Sequence, residues 1–314
     1  MAKVLLPLLA IISLIPVVPA WAALVAGILL ALALGNPYAA WTKPLTPRLL
    51  AWSVVGLGAG MNLIEVGKVG LQGFAYTAVG IGFALSMGLF LGKRLGVTAN
   101  TSILIAVGTA ICGGSAIAAV APVIHAGDED TSVALATVFL LNALALILFP
   151  LIGLHFHLAE RSFGLWAALA IHDTSSVVAA GATYGPVAEL VATTTKLARA
   201  LWIVPVAFGL GLVHARRQVV AAEELRPKAT RPWFILGFLL AAALVTFVPQ
   251  LKAPGQIVNQ AGHRLLVLTL FLLGCGITRE ALKKVGVRPL VQGVALWIIV
   301  GSATLFAILR GWVA

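Results

Sequence analysis

Long apolar stretches alternate with short connections along the whole chain, and the connections carry most of the charged residues. A membrane helix needs about 20 predominantly apolar residues. On this basis we predict eleven candidate spans, at residues 4–18, 20–36, 48–65, 72–92, 98–123, 131–153, 163–183, 187–214, 232–249, 264–280 and 289–311. The pattern predicts an all-α polytopic membrane bundle of about 10–11 spans, forming a single transmembrane domain over residues 1–314.

Composition supports the membrane assignment. Hydrophobic residues make up 61% of the chain and charged residues only 10%, whereas a soluble domain has about 25% charged residues. Such a chain has too little polar surface to cover its apolar surface in water, so we expect the lipid bilayer to be its solvent. The net charge of +11 does not indicate nucleic acid, because the basic residues lie mostly between the apolar stretches.

The basic residues are distributed unevenly between the two sets of connections. The connections after odd-numbered spans contain Lys68, Lys252 and Arg264. The connections after even-numbered spans contain Lys43, Arg48, Lys93, Arg94, Arg161, Arg216, Arg217, Arg226, Lys228, Arg231, Arg279, Lys283, Lys284 and Arg288. Since cytoplasmic loops are enriched in Lys and Arg, this asymmetry predicts that the even-numbered connections face the cytoplasm.

Two pairs of similar segments suggest an internal repeat. Segments 58–62 and 274–278 are alike, and each precedes a Lys-Val-Gly sequence at a constant offset of 216 residues. Spans three and ten run in opposite directions in the predicted topology, as inverted repeats of transporters do. Segments 111–116 and 171–176 are also alike, but spans five and seven run in the same direction. Either the span count is off there, or that likeness is only functional.

The centre of span five is weak as a helix, because it contains Cys112, Gly113, Gly114 and Ser115. If the helix breaks there, the second half-helix begins with free N–H groups and the positive end of its dipole. These features would form an anion site. Close helix packing by small residues is the structural alternative.

Span seven carries an ionisable group near the bilayer midplane. Asp173 lies ten residues past the start of the span, about 15 Å deep in a core about 30 Å thick. A carboxylate there requires a partner, a proton or a cation, and His172 is the side chain that titrates closest to physiological pH. We assign coupling to His172, Asp173, Thr174 and Ser175, and one of the last three also fits the N-cap of a second half-helix. A purely structural polar cluster is the alternative.

Span eight carries Lys196 and Arg199, whose spacing places both on one helix face. Both lie too deep to reach water easily, and two adjacent cations repel each other unless an anion is near. Asp173 can neutralise one of them, and a transported anion can neutralise the other. A fixed ion pair with Asp173 is the alternative. Asn142 in span six also lies deep and either donates to the same site or holds helices together.

Three motifs resemble those of a known family. They are Cys-Gly-Gly-Ser-Ala-Ile at 112–117, His172-Asp173 followed by Val-Val-Ala-Ala at 177–180, and Thr-Lys-Leu-Ala-Arg at 195–199. In this order they resemble the YeiH-type sulfate exporter family of bacterial inner-membrane proteins, from about residue 20 to the end of the chain. That family commonly has Glu after the histidine, where this chain has Asp173. The resemblance implies a multi-pass protein of the bacterial cell inner membrane that exports an anion.

We therefore expect a secondary active transporter of a small inorganic anion such as sulfate or sulfite, coupled to a proton or another cation. Residues expected to bind substrate are Cys112, Gly113, Gly114, Ser115, Asn142, Lys196 and Arg199. A sodium-coupled organic-anion carrier and a passive anion channel are the alternatives. The chain has no Walker loop, dinucleotide fingerprint or convincing metal spacing, so we expect neither enzyme activity nor a cofactor nor a metal. The expected partners are the anion, a coupling proton or sodium ion, and lipid. A homodimer is left open.

Overall fold

The computed structural model of the chain describes residues 2–217 and 233–313. Within these residues the regular structure is helical: α1 (Ala2–Ser13), α2 (Ala20–Leu34), α3 (Ala39–Gly58), α4 (Leu63–Leu95), α5 (Ala99–Ala110), α6 (Gly114–Val120), α7 (Asp128–His155), α8 (Glu160–Ala170), α9 (Thr174–Tyr184), α10 (Pro186–Ala200), α11 (Ile203–Arg217), α12 (Trp233–Phe247), a 3₁₀ turn (Pro249–Leu251), α13 (Lys252–Cys275), α14 (Arg279–Val285) and α15 (Val287–Leu309). The predicted all-α membrane bundle is confirmed.

Helix length and apolar composition separate the candidate membrane crossings from the shorter apolar helices. Among the described residues, five helices are long and apolar enough to cross a membrane: Tyr76–Leu95, Glu129–His155, Pro186–Val213, Pro249–Cys275 and Val287–Leu309. A sixth candidate is the pair Ala39–Gly58 and Leu63–Leu71, bent by 114°. The remaining apolar helices have 10–17 residues. One of these is α5, in the segment where the sequence predicts a broken span.

Helices α5 and α6 form a hairpin that turns back, which we call hairpin A (residues 99–120). The hydroxyls of Thr98 and Thr101 both donate to Asp130 Oδ1, so α5 and α7 start side by side. A Cβ built on Gly108 of α5 would lie 2.9 Å from Ile117 Cδ1 of α6. In one straight helix these two residues would be about 13 Å apart along the axis. Hairpin A therefore enters and leaves at the same face.

Helices α8 and α9 form a second hairpin, which we call hairpin B (residues 160–184). Tyr184 Oη at the end of α9 donates to Leu158 O, just before α8, at 2.7 Å. Glu160 Oε2 at the start of α8 accepts hydrogen bonds from Val187 N at 2.8 Å and Ala188 N at 3.3 Å. The end of α9 and the start of α10 thus lie beside the start of α8, and hairpin B also returns to its own face.

The predicted spans 98–123 and 163–183 are therefore re-entrant hairpins and not crossings, which corrects the span count at these two places. Helix α7 lies between them in sequence and is long enough to cross. Hairpins A and B consequently enter from opposite faces. Their similar tips are related by inversion, and this settles the conflict of direction that the sequence left open.

The other predicted repeat is also inverted. Helix α3 ends beside the 3₁₀ turn region, where Leu63 N donates to Thr246 Oγ1 at 2.9 Å. Helix α13 ends at the opposite face, where Asn36 Nδ2 donates to Cys275 O at 3.2 Å. The last turn of α3 packs closely on the middle of α13, where a Cβ on Gly56 would lie 3.0 Å from Gly262 Cα.

The packing divides the helices into two groups. Helices α1, α2, α3, α12 and α13 pack mainly on one another, and we call them the panel. Helices α4–α11, α14 and α15 form the core, which contains both hairpins. The contacts between the two groups are sparse and run mainly through α9 with α13 and α2, α7 with α2, and α4 with α12.

Candidate functional site

The tips of the two hairpins meet inside the core. Helix α5 ends at Ala110 and α6 begins at Gly114, while α8 ends at Ala170 and α9 begins at Thr174. Gly113 has φ +67° and ψ −128°, a conformation that L side chains rarely adopt. A Cβ on Gly113 would lie only 3.3 Å from Asp173 Cα. The break predicted in span five is therefore present, and its glycine permits contact with the tip of hairpin B.

Asn142 of α7 holds the tip of hairpin B. Its Oδ1 accepts hydrogen bonds from the backbone N–H groups of His172 at 3.2 Å and Asp173 at 3.1 Å. Two N–H donors fix the carbonyl end of the amide at this position. The other end, Nδ2, is buried and has no partner within the described structure. Asn142 thus offers two free N–H donors at the hairpin tips.

Asp173 is the N-cap of α9, as one of the three alternatives at this position predicted. Its Oδ2 accepts hydrogen bonds from Ser175 N at 3.0 Å and from Ser175 Oγ. Both residues are almost fully buried, as is Thr174, the first residue of the helix. An acceptor at this position satisfies N–H groups that a helix start leaves unpaired.

Lys196 and Arg199 bind the carbonyl ends of the first half-helices. Arg199 Nε donates to Ala110 O at 2.6 Å, and its Nη1 donates to Ala168 O at 3.1 Å and to Leu169 O. Lys196 Nζ donates to Ile171 O at 2.7 Å. Both side chains are fully buried. Arg199 therefore connects hairpin A to hairpin B, and both cations lie at negative helix ends.

This arrangement changes the predicted charge pairing. No nitrogen of Lys196 or Arg199 lies within 4.0 Å of an Asp173 oxygen, since the one ion pair among the described residues joins His263 and Glu189. A fixed ion pair of Asp173 with Lys196 or Arg199, which the sequence left open as the alternative, is therefore absent among the described residues, and backbone carbonyls bind both cations instead. Backbone carbonyls at helix ends give no clear signal in a sequence, so this partner was missed.

Several buried polar groups around the tips have no hydrogen-bond partner within the described residues. Helical threonines elsewhere, such as Thr137 and Thr269, donate to the carbonyl four residues earlier at 2.8 and 2.7 Å. Side chains at the tips or beside them that leave at least one polar atom unpaired are Thr109, Asn142, His172 (both ring nitrogens) and Ser176. On α10, the three threonines that precede Lys196 (Thr193, Thr194 and Thr195) also have unpaired hydroxyls. Sequence analysis missed Thr109, Ser176 and the three threonines before Lys196, although the run of three was visible.

The predicted residues of hairpin A differ in exposure. Cys112 is buried, Gly114 is half-buried and Ser115 is exposed. Cys112 is a free thiol, as is Cys275. Among the described residues no group of three or more His, Cys, Asp or Glu side chains could hold a metal ion. The hairpin tips thus offer amide, hydroxyl and imidazole groups beside two fixed cations.

Fold and site together define a polytopic α-helical membrane protein with two inverted re-entrant hairpins. Residues 3–293 match the family model described as Conserved hypothetical protein 698. The chain is 57% identical to a UPF0324 membrane protein of Bdellovibrio bacteriovorus over 312 residues, covering 99% of this chain and 95% of the relative. It is 47% identical to one from Geobacter sulfurreducens over 292 residues, covering 93% and 91%, respectively.

The chain therefore belongs to the UPF0324 membrane protein family, and the YeiH-type resemblance is confirmed at the level of the family. A further relative, from Bacteroides thetaiotaomicron, is 44% identical over 303 residues and covers 93% of this chain and 88% of its own length. The names of these relatives specify a membrane protein and no substrate. No solved structure matches the chain.

Proposed function

We propose that the protein is a secondary active transporter of a small inorganic anion, such as sulfate or sulfite, in the bacterial inner membrane. The observation that carries this proposal is the meeting of two oppositely inserted hairpins beside two fully buried cations, Lys196 and Arg199. Half-helix ends near the bilayer midplane, at the interface of inverted repeats, are the usual location of substrate and ion sites in such carriers.

The local charge favours an anion. Lys196 and Arg199 bring two formal positive charges, and Asp173 brings one negative charge. Each half-helix also contributes about half an elementary charge at each end, positive at its start and negative at its end, so these contributions cancel in pairs. One positive charge remains for a bound anion to neutralise. The unpaired amide of Asn142 and the imidazole of His172 would then donate to that anion.

The charge distribution also supports a cytoplasmic entrance at hairpin A. Because hairpin A turns back, Arg161 at the start of α8 lies on the face opposite Lys93 and Arg94, and not on their side as the sequence predicted. The other basic residues of the even-numbered connections keep their common side wherever their backbone is described, while Arg226, Lys228 and Arg231 lie outside the described residues. That side is the cytoplasm by the positive-inside rule.

Alternating access would follow from movement of the core against the panel. Arg199 binds carbonyls of both hairpins, so the two tips would move together with their bound anion. The panel touches the core through few helices, of which α9 begins at the site itself. Asp173 and His172, at the start of α9, would bind the coupling proton, with Thr174 and Ser175 holding the same helix start. We propose a carrier and not an enzyme. No step of this proposed mechanism depends on the oligomeric state, whether or not the protein is a homodimer.

Counterflow in proteoliposomes tests this function. Vesicles loaded with unlabelled sulfate should accumulate external radiolabelled sulfate against its gradient, and sulfite should compete. Empty vesicles and vesicles without protein are the controls. Conductance without counterflow would instead indicate an anion channel. Counterflow of an organic anion, with neither sulfate nor sulfite transported, would overturn the assigned substrate class.

A further inference from the structure

The carbonyls at the ends of α5 and α8, which the helices themselves leave without an N–H partner, are the natural ligands for a coupling cation. In carriers with broken helices, unwound carbonyls and the negative ends of half-helices coordinate sodium. The equivalent oxygens here are the carbonyls of Thr109 and Ala110 at the end of α5, with those of Ala168, Leu169 and Ile171 at the end of α8 and in the tip of hairpin B.

All five carbonyls are already bound by side-chain cations. Arg199 Nε donates to Ala110 O at 2.6 Å, and Arg199 Nη2 donates to Thr109 O at 3.3 Å. Its Nη1 donates to the carbonyls of Ala168 and Leu169 at the end of α8. Lys196 Nζ donates to Ile171 O at 2.7 Å and lies 3.5 Å from Ala168 O. Each cation comes from α10, which packs along both halves of hairpin B.

We infer that the Lys196 ammonium and the Arg199 guanidinium permanently occupy the place of a coupling sodium ion, so that this carrier works without sodium. A hard cation needs several oxygen ligands, and the strongest local ones are taken. The unpaired hydroxyls of Thr109 on α5 and Thr195 on α10 carry no formal charge. The inference rests on the proposed carrier function and assigns its coupling to the remaining ion, the proton.

Thermal unfolding of the purified full-length protein in detergent tests this inference directly. The Tm of the wild type should be the same in NaCl and in choline chloride at equal ionic strength. Lys196→Ala should lower the Tm in choline chloride, because Ile171 O loses its partner. Sodium should then raise the Tm of that variant with a saturating dependence on its concentration, because an ion can enter the vacated position. Lys68→Ala removes an exposed lysine and should respond to neither salt.

The outcomes are decisive in both directions. A saturating, sodium-specific rise in the Tm of the wild type would overturn the inference. A folded Lys196→Ala protein that does not respond to sodium would overturn the claim that the ammonium stands in a cation site. If Lys196→Ala does not fold, Lys196→Ser supplies an additional oxygen ligand and should fold only when sodium is present. If Lys196→Ser does not fold in the presence of sodium either, the claim that the ammonium stands in a cation site fails.

A flux measurement separates this inference from the proposed function. If anion counterflow occurs equally with sodium and with choline on both sides, both hold. If it requires sodium, the carrier function holds and the inference fails. If no anion is transported, the proposed function fails, and the Tm measurements still decide whether the wild type binds sodium.

Discussion

His263 of α13 and Glu189 of α10 form a polar bridge between the panel and the core, with 3.3 Å between Nε2 and Oε1. Both side chains are half-buried. Because contacts between panel and core are otherwise sparse, we expect this pair to stabilise the conformation described here. A pair with this exposure contributes about 0.2–1 kcal/mol.

A double-mutant cycle measures that bridge. Glu189→Gln and His263→Ala should each lower the Tm slightly, and the double variant should lose less than the sum of the two single losses. In transport assays each single variant should change the rate of counterflow without changing the apparent affinity for the anion, because neither residue lies at the hairpin tips. Strictly additive losses in Tm would show that the two residues do not interact.

The contact between the two hairpin tips depends on the absence of a side chain at Gly113. In Gly113→Ala, the positive φ is strained and the new Cβ presses on Asp173. The strain should lower the free energy of unfolding by about 1–3 kcal/mol and abolish counterflow. Gly80→Ala is the matched control, since Gly80 is helical and a Cβ there meets nothing within 4 Å. It should be neutral or stabilising by about 0.5–1 kcal/mol. Equal losses in the two variants would contradict the proposed tip contact.

Asn142 provides a test that separates structure from binding. Asn142→Asp keeps an oxygen acceptor for the N–H groups of His172 and Asp173, but it replaces the free NH₂ group with a carboxylate oxygen. We expect a folded protein that no longer binds the anion, because a donor is lost and the remaining positive charge is neutralised. Isothermal titration with sulfate measures the binding directly.

The Asn142→Ala variant separates the two roles further. It leaves both N–H groups unpaired in a buried position and should cost about 1–3 kcal/mol for each of them. If Asn142→Asp bound sulfate as tightly as the wild type, Nδ2 would not be a ligand.

The re-entrant topology is accessible to cysteine labelling. Cys112 and Cys275 are buried, so the parent protein should not react with an impermeant maleimide added to intact vesicles. A cysteine at Gly127, after hairpin A, should be labelled from the same side as one at Lys93. A cysteine at His157 should be labelled from the other side. If the cysteine at Gly127 were labelled from the side opposite the one at Lys93, hairpin A would cross the membrane.

Much of this fold was visible in the sequence because helix breaks have local causes. The adjacent glycines at 113 and 114 and the buried carboxylate of Asp173 indicated both breaks within a few residues. The sequence did not show that segments 98–123 and 163–183 turn back as hairpins, since a re-entrant hairpin and a broken span have the same apolar length. The deciding contacts, such as Thr101 with Asp130, join residues far apart in sequence and use common side chains.

The role of Lys196 and Arg199 shows the same limit. Two buried cations three residues apart indicated a polar cluster, and the structure places both of them at the hairpin tips. Their partners are backbone carbonyls, which every residue carries, and only the three-dimensional path of the chain determines which carbonyls are free. The sequence could therefore locate the charge but not the atoms that compensate it.

Asp173 combines a structural and a proposed coupling role, and two substitutions separate them. Asp173→Asn keeps an oxygen that accepts from Ser175 N, so α9 should stay capped and the Tm should change little. Asp173→Ala removes the cap and should cost about 0.5–2 kcal/mol. If the carboxylate carries the coupling proton, the Asn variant should still exchange sulfate in counterflow but should no longer concentrate it in response to an imposed pH gradient. Unchanged pH-driven accumulation in Asp173→Asn would assign the proton to another group, and His172→Gln would then be the variant to lose it.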